Sequence, residues 1–262
     1  MEHEEQYLSD QGTYYQVWRG SAPRASVVLS HGYAEHSGRY AHVAARLVDA
    51  GLDVYAVDHR GHGRSPGERG DIVSWEVVVA DLDALVDVAA AGGLPIFMVG
   101  HSLGGAIAIA YALAHQERLA GLTLSAPALE VVPELLALAE LPEIPPLPLA
   151  DGVCSDPRVV AAYKSDPLVY QGPPPRNVLV LMAQAPESLV SRLPELTVPV
   201  QVMQGSADPL IPLGALRSVV AGVSSPDLVA QVWPGLFHEI FNEPTDGAVL
   251  DALAGWISVR AA

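Results

Sequence analysis

The chain has 262 residues, half of them hydrophobic, and carries 30 acidic against 14 basic side chains, for a formal net charge of −16. That length suits one large α/β domain, and the apolar fraction is enough to fill its core. The negative surplus argues against nucleic acid as a partner, because phosphate backbones repel it, and against docking on anionic lipid.

The opening residues Met1-Glu2-His3-Glu4-Glu5 are acidic and lack the apolar stretch of a signal peptide. No uninterrupted apolar run approaches the ~18 to 20 residues of a membrane span, so a placement in the cytoplasm, or peripheral to a membrane, is expected. Residues 26–30 (SVVLS) read as a buried strand, 40–50 carry a helical period, and Gly51 stands where a helix-ending glycine belongs. A second strand follows at 53–57. A long helix is expected at 74–91, with Ser74 as N-cap and Glu76 and Asp81 toward its positive end. A third strand spans 94–99, a helix 106–113 and a fourth strand 119–124. This β-α-β-α-β order predicts an α/β fold with a mostly parallel central sheet and helices on both faces.

After Pro127 the alternation stops. From 128 to about 195 prolines crowd in, among them Pro173-Pro174-Pro175, and the short helical pieces between them, such as 131–141 and 178–183, are strongly apolar. A disordered linker would be poor in large apolar residues. The stretch is therefore expected to be an inserted cap, 128–195, dividing the core into a first part, 1–127, and a second, 196–262. Strands resume at 198–203 and 228–233, and a closing helix spans 248–259.

Between the third strand and its helix lies Gly100-His101-Ser102-Leu103-Gly104-Gly105, of the form G-x-S-x-G. A strand feeding a tight turn feeding a helix exposes a serine hydroxyl at the apex of the turn. Attack by that serine needs a base to take its proton and a carboxylate to orient the base. Asp208, in Gln204-Gly205-Ser206-Ala207-Asp208-Pro209, directly follows the 198–203 strand. His238, in Pro234-Gly235-Leu236-Phe237-His238-Glu239, directly follows the 228–233 strand. Both therefore fall at the carboxyl edge of the sheet, where ligand sites of open α/β folds collect. The other eight histidines all precede Asp208, and among rival acids Glu239 and Glu243 come after the histidine. Ser102, Asp208 and His238 are thus the expected nucleophile, acid and base. The developing oxyanion would take backbone N–H groups from Leu103, after the nucleophile, and from Tyr33, in the His31-Gly32-Tyr33 loop. Such a triad needs no metal and no cofactor.

Two further features take structural readings. The loop Asp58-His59-Arg60-Gly61-His62-Gly63-Arg64-Ser65 is punctuated by glycine, but no G-K-[ST] or G-x-G-x-x-G accompanies it. It is expected to brace the strand that leads to Tyr33. Cys154, the single cysteine, lies in a Pro- and Asp-rich stretch without a turn of the serine's kind and is expected to be structural.

Together these motifs resemble the α/β-hydrolase superfamily and, within it, the monoacylglycerol lipase family, kin to S33 serine aminopeptidase-like and lysophospholipase-like hydrolases. The residues that carry the resemblance are the Ser102 turn, residues 31–40 (HGYAEHSGRY), 58–65, 124–127 (LSAP), 163–168 (YKSDPL) and 204–208. It implies hydrolysis of a monoacylglycerol ester to glycerol and a free fatty acid through an acyl-enzyme, with the triad and oxyanion donors named above. It implies that Glu35, Arg39, His101 and Tyr163 shape the glycerol end of the site, and that the insert is a mobile apolar lid meeting the acyl chain and the lipid interface. Two positions depart from the family. Animal members carry another histidine three residues after the catalytic one, where this chain has Phe241, and Lys164 stands where many members have asparagine. A carboxylesterase or lysophospholipase of broader specificity, and a non-catalytic binding relative, are the alternative readings.

Overall fold

In the computed structural model, which describes residues 1–8, 12–129 and 133–261, the backbone forms one eight-stranded sheet. Its strands are β1 (Glu2–Tyr7), β2 (Tyr14–Arg19), β3 (Ala25–Ser30), β4 (Leu52–Val57), β5 (Ile96–His101), β6 (Gly121–Ser125), β7 (Val200–Gly205) and β8 (Leu228–Trp233). The order is β1-β2-β4-β3-β5-β6-β7-β8. β1 and β2 pair antiparallel with each other, β2 pairs antiparallel with β4, and the six strands from β4 to β8 run parallel. This is the α/β-hydrolase fold expected above.

The parallel strands are apolar because both faces of the sheet are covered. Along β3 the side chains alternate: Val28 packs into one core, Val27 and Leu29 into the other. One core is closed by α2 (Trp75–Ala90) and α3 (Leu103–His115), the other by α1 (Ala41–Asp49) and α8 (Ala248–Arg260). Ser74 caps α2 as expected, its hydroxyl accepting from the Val77 N–H, a cap worth about 1 kcal/mol. α3 is buried on nearly every face, which its all-round apolar sequence requires. It begins at Leu103, three residues earlier than the apolar periodicity indicated, because Gly104 and Gly105 are helical here.

Three elements were not anticipated. The hairpin β1–β2 has an all-exposed outer strand, Glu-His-Glu-Glu-Gln-Tyr, with no apolar alternation to betray it. Its charges blunt the sheet edge, and Arg19 and Arg64 pair with Glu4 and Glu5. A short helix α7 (Gly214–Gly222) joins β7 to β8.

Between β6 and β7 the chain forms α4 (Pro133–Ala139), α5 (Pro157–Ser165) and α6 (Arg176–Arg192). Val131 and Val132, part of the apolar piece expected at 131–141, lie outside the described residues. The piece expected at 178–183 is the middle of α6, which runs on through Pro186. Proline there removes one hydrogen bond, but Val178, Ala185 and Leu189 are buried in the core that α3 fills, and packing outweighs the local preference. Among the described residues no helix is long and apolar enough to cross a membrane.

Candidate active site

β5 ends at His101, and Ser102 turns the chain into α3 with φ 53° and ψ −120°. A side chain at positive φ costs about 1–3 kcal/mol and persists only where the surroundings fix it. Here the Ser102 N–H donates to the Ser125 carbonyl, and the Ser102 carbonyl accepts from Gly105, Ala106 and Ala128. The turn also needs two bare α-carbons. A Cβ on Gly100 would stand 2.5 Å from the Gly104 carbonyl oxygen, and one on Gly104 would stand 2.2 Å from that of Ser30.

Asp208 sits in the turn after β7. Its Oδ1 accepts the Leu210 and Ile211 N–H groups, both at 2.9 Å, and its Oδ2 lies 2.8 Å from His238 Nδ1. A carboxylate only accepts, so His238 Nδ1 carries a proton, and in the neutral ring that tautomer leaves the lone pair on Nε2. His238 and Ser102 line one cavity of about 190 Å³. No hydrogen bond joins the Ser102 hydroxyl to the ring among the described residues; such contacts tighten in the Michaelis complex.

Gly32 lies against the serine: a Cβ built on it would come within 3.2 Å of Ser102 Cβ. Among the described residues, neither the Tyr33 nor the Leu103 N–H is spent on a hydrogen bond, so both are free for an oxyanion. The loop that carries Tyr33 is braced from the 58–65 segment. The His59 N–H donates to His31 Nε2 at 2.9 Å. That fixes the His31 proton on Nδ1, which donates to the Gly32 carbonyl at 2.7 Å. Asp58 accepts from Ser37 N–H, the Ser37 hydroxyl and Arg64 N–H, tying the same loop from its far side.

His31 and His59, with His62 and His101 nearby, are buried, and burial disfavours their charged forms. Burial, helped by His31 nearby, pushes His62 down to about 3, and burial beside His238 pushes His101 down to about 3. Burial lowers His31 and His59 as well. In the unfolded chain the same rings return to their ordinary value of 6.5. Between about pH 6.5 and pH 3 the unfolded chain therefore binds more protons, and stability falls as pH falls through that window. Thermal unfolding is expected to show a midpoint that drops steeply below about pH 6.5, with a shallower acid slope in His62→Gln. An unchanged slope in that variant would contradict the burial of a neutral ring at 62.

Beside the serine and His238 sits a buried charge cluster. Arg39 grips Glu239 with both terminal nitrogens, at 2.5 and 2.7 Å, and reaches Glu35 at 2.7 Å. The Tyr163 ring lies over the guanidinium, 4.8 Å away. Burial opposes ionisation of Glu35, but Arg39 and the Tyr40 and Gly32 donors hold its carboxyl below the ordinary range. His101 stacks obliquely on His238, ring centroids 4.6 Å apart, and bonds the Ser125 hydroxyl through Nδ1. Glu35, His101 and Tyr163 thus meet Ser102 and His238 in one cavity wall, with Arg39 just behind.

Two residues that the sequence suggested only as rival acids also belong to this constellation. Glu239 lines the cavity. Glu243 accepts from the N–H groups of Phe237 and Ser155 and from the Ser155 hydroxyl, anchoring the loop that carries His238. Phe241 is buried in the core beside α1 and α8, away from the cavity. Lys164 pairs with Asp151 at 2.6 Å outside it. Cys154 is buried, which pushes its thiol up to about 11 and leaves it unreactive. The rest of the cavity wall is apolar, including Leu135, Leu147, Leu149, Met182, Leu210 and Ile211.

Residues 21–245 match the family described as serine aminopeptidase, S33. The chain belongs to this family. All the site residues above lie inside the matched span; β1, β2 and α8 lie outside it. The chain is 44% identical to a monoacylglycerol lipase of Mycolicibacterium smegmatis, over 93% of this chain and 91% of that one. It is 32% identical to the monoglyceride lipase of Homo sapiens, over 95% and 88% of the two chains. Among solved structures it resembles the monoacylglycerol lipase of Paleococcus ferrophilus, with a TM-score of 0.84 and 30% identity over 95% of this chain and 99% of that one. The chain thus falls on the monoacylglycerol lipase branch of the α/β-hydrolases.

Proposed function

We propose that this chain hydrolyses monoacylglycerols to glycerol and a free fatty acid. Ser102 attacks the ester carbonyl, and His238 Nε2 takes the hydroxyl proton. Asp208 holds the ring in the tautomer that makes this transfer possible. The tetrahedral oxyanion is met by the Tyr33 and Leu103 N–H groups. The tetrahedral intermediate expels glycerol as His238 returns the proton to it. Water, activated by the same ring, then releases the fatty acid from Ser102.

The observation that carries this reading is the division of one cavity. A charged, hydrogen-bonding end lined by Glu35, Tyr163 and Glu239, with Arg39 behind them, adjoins the serine, and most of the remainder is apolar. That is the shape of an ester with a polyol on one side and a single alkyl chain on the other. The names carried by the relatives point the same way. Segment 128–195 acts as the cap over the acyl chain, and its exposed Leu136 and Leu141 meet the lipid aggregate from which substrate is drawn.

A panel of monoolein, triolein, a lysophospholipid and p-nitrophenyl butyrate tests this. Monoolein is expected to give the highest kcat/KM of the lipids, by about tenfold or more over triolein, since the enzyme discriminates through transition-state contacts that only one headgroup completes. A clear preference for triolein would sink the monoacylglycerol reading.

A further inference from the structure

We propose that Glu239, with Glu35, makes the headgroup end of the cavity an anion-excluding wall, so that the site accepts single-chain esters of neutral polyols and rejects those carrying phosphate. The inference rests on the function proposed above and narrows its substrate class.

The cluster holds two carboxylates around one guanidinium. Both ends of that guanidinium are occupied by Glu35 and Glu239, and its face is covered by Tyr163. Arg39 does not line the cavity, whereas Glu35, Glu239 and Tyr163 do. Among the described residues no lysine or arginine contributes to the cavity wall. On the outer side, Lys164 is committed to Asp151. His101 adds no charge, since burial keeps its ring neutral. A phosphate entering here would face carboxylates without a cation to pair with. Phosphate sites are commonly built the opposite way, around guanidinium forks that face the ligand.

The same wall suits a polyol. Glu239 accepts three hydrogen bonds, two from Arg39 and one from Asn242. Glu35 also accepts three, from Gly32, Arg39 and Tyr40. A carboxylate offers about four acceptor positions, so each retains about one. A monoacylglycerol carries two free hydroxyls, each a donor in search of an acceptor. Glu239 follows His238 directly, which places this acceptor beside the base.

The test compares 1-decanoylglycerol with its 3-phosphate ester, each below its aggregation concentration, so that only the phosphate differs. The protein is expected to favour the neutral ester by about a hundredfold or more in kcat/KM, the size of a few kcal/mol of like-charge opposition. In Glu239→Gln that ratio should shrink at least about tenfold, through a relative gain on the phosphate ester. A ratio below about threefold in the unaltered protein, or an unchanged ratio in folded Glu239→Gln, overturns the proposal. If the variant does not fold, inhibition of p-nitrophenyl butyrate hydrolysis decides on the unaltered protein. Glycerol 3-phosphate should inhibit about tenfold more weakly than glycerol, and equal inhibition overturns the idea. Failure of the underlying function looks different: p-nitrophenyl butyrate is cleaved and decanoylglycerol is not, which overturns both.

Discussion

Replacing Ser102 by alanine is expected to lower kcat on monoolein by about five to six orders of magnitude, with the protein still folded. The loss is large because the serine, His238 and Asp208 act as one unit. With the hydroxyl gone, the lone pair on His238 Nε2 has no proton to take, and the orienting bond from Asp208 at 2.8 Å orients nothing. The Tyr33 and Leu103 donors still await an oxyanion, so some acceleration over water persists. Folding should be spared for a specific reason. The strain at φ 53° belongs to the backbone and Cβ, which alanine shares, and the turn is held by backbone bonds to Ser125, Gly105, Ala106 and Ala128. The Ser102 hydroxyl has no hydrogen-bond partner among the described residues, so stability should shift by no more than about 0.5 kcal/mol. Labelling by a fluorophosphonate probe should vanish together with turnover. Near-normal hydrolysis by Ser102→Ala would remove the serine from the mechanism.

The parts of this molecule that were legible beforehand are those whose signal is local. The parallel strands are buried on both faces and read as unbroken apolar runs, as in residues 26–30 and 53–57. The Ser102 turn announces itself because glycine is required on both sides of it. Asp208 and His238 follow strands directly, and strand ends in such a sheet share an edge. What escaped depends on distant partners. β1 is a strand only because β2 offers its edge, and its own residues are all polar or exposed. Glu239 looked like a surplus acid, since its meaning comes from Arg39, 200 positions away in the chain. Glu35 and Arg39 themselves came from family resemblance; no periodicity or spacing marks a charged residue that will be buried. The one available hint at Glu239 was adjacency, an acidic residue directly after the base.

Gly104→Ala is expected to damage stability and catalysis together, and the coupling is the point of interest. A Cβ at 104 would lie 2.2 Å from the Ser30 carbonyl oxygen and 2.3 Å from that of His31. Neither oxygen can rotate away. Ser30 ends β3 in register with Gly100, and His31 is pinned by its ring bonds to Gly32 and His59. Relief therefore requires either lifting the start of α3 off the sheet or displacing the 30–33 segment. Overpacking of this kind typically costs about 1–3 kcal/mol. With backbone on both sides the upper end applies, lowering the unfolding midpoint by roughly 6 to 12 °C. Either movement also separates the Tyr33 and Leu103 N–H groups, one on each side of the clash. A shift of about 1 Å in such a donor costs on the order of a hundredfold in kcat/KM. Gly255→Ala in α8 is the control, because a Cβ there meets nothing within 4 Å. It should gain about 0.5–1 kcal/mol from the lower entropy of its unfolded chain and leave the rate alone. If Gly104→Ala instead kept the midpoint and kcat/KM of the unaltered protein, the close approach of α3 to β3 would not be what sets the oxyanion geometry.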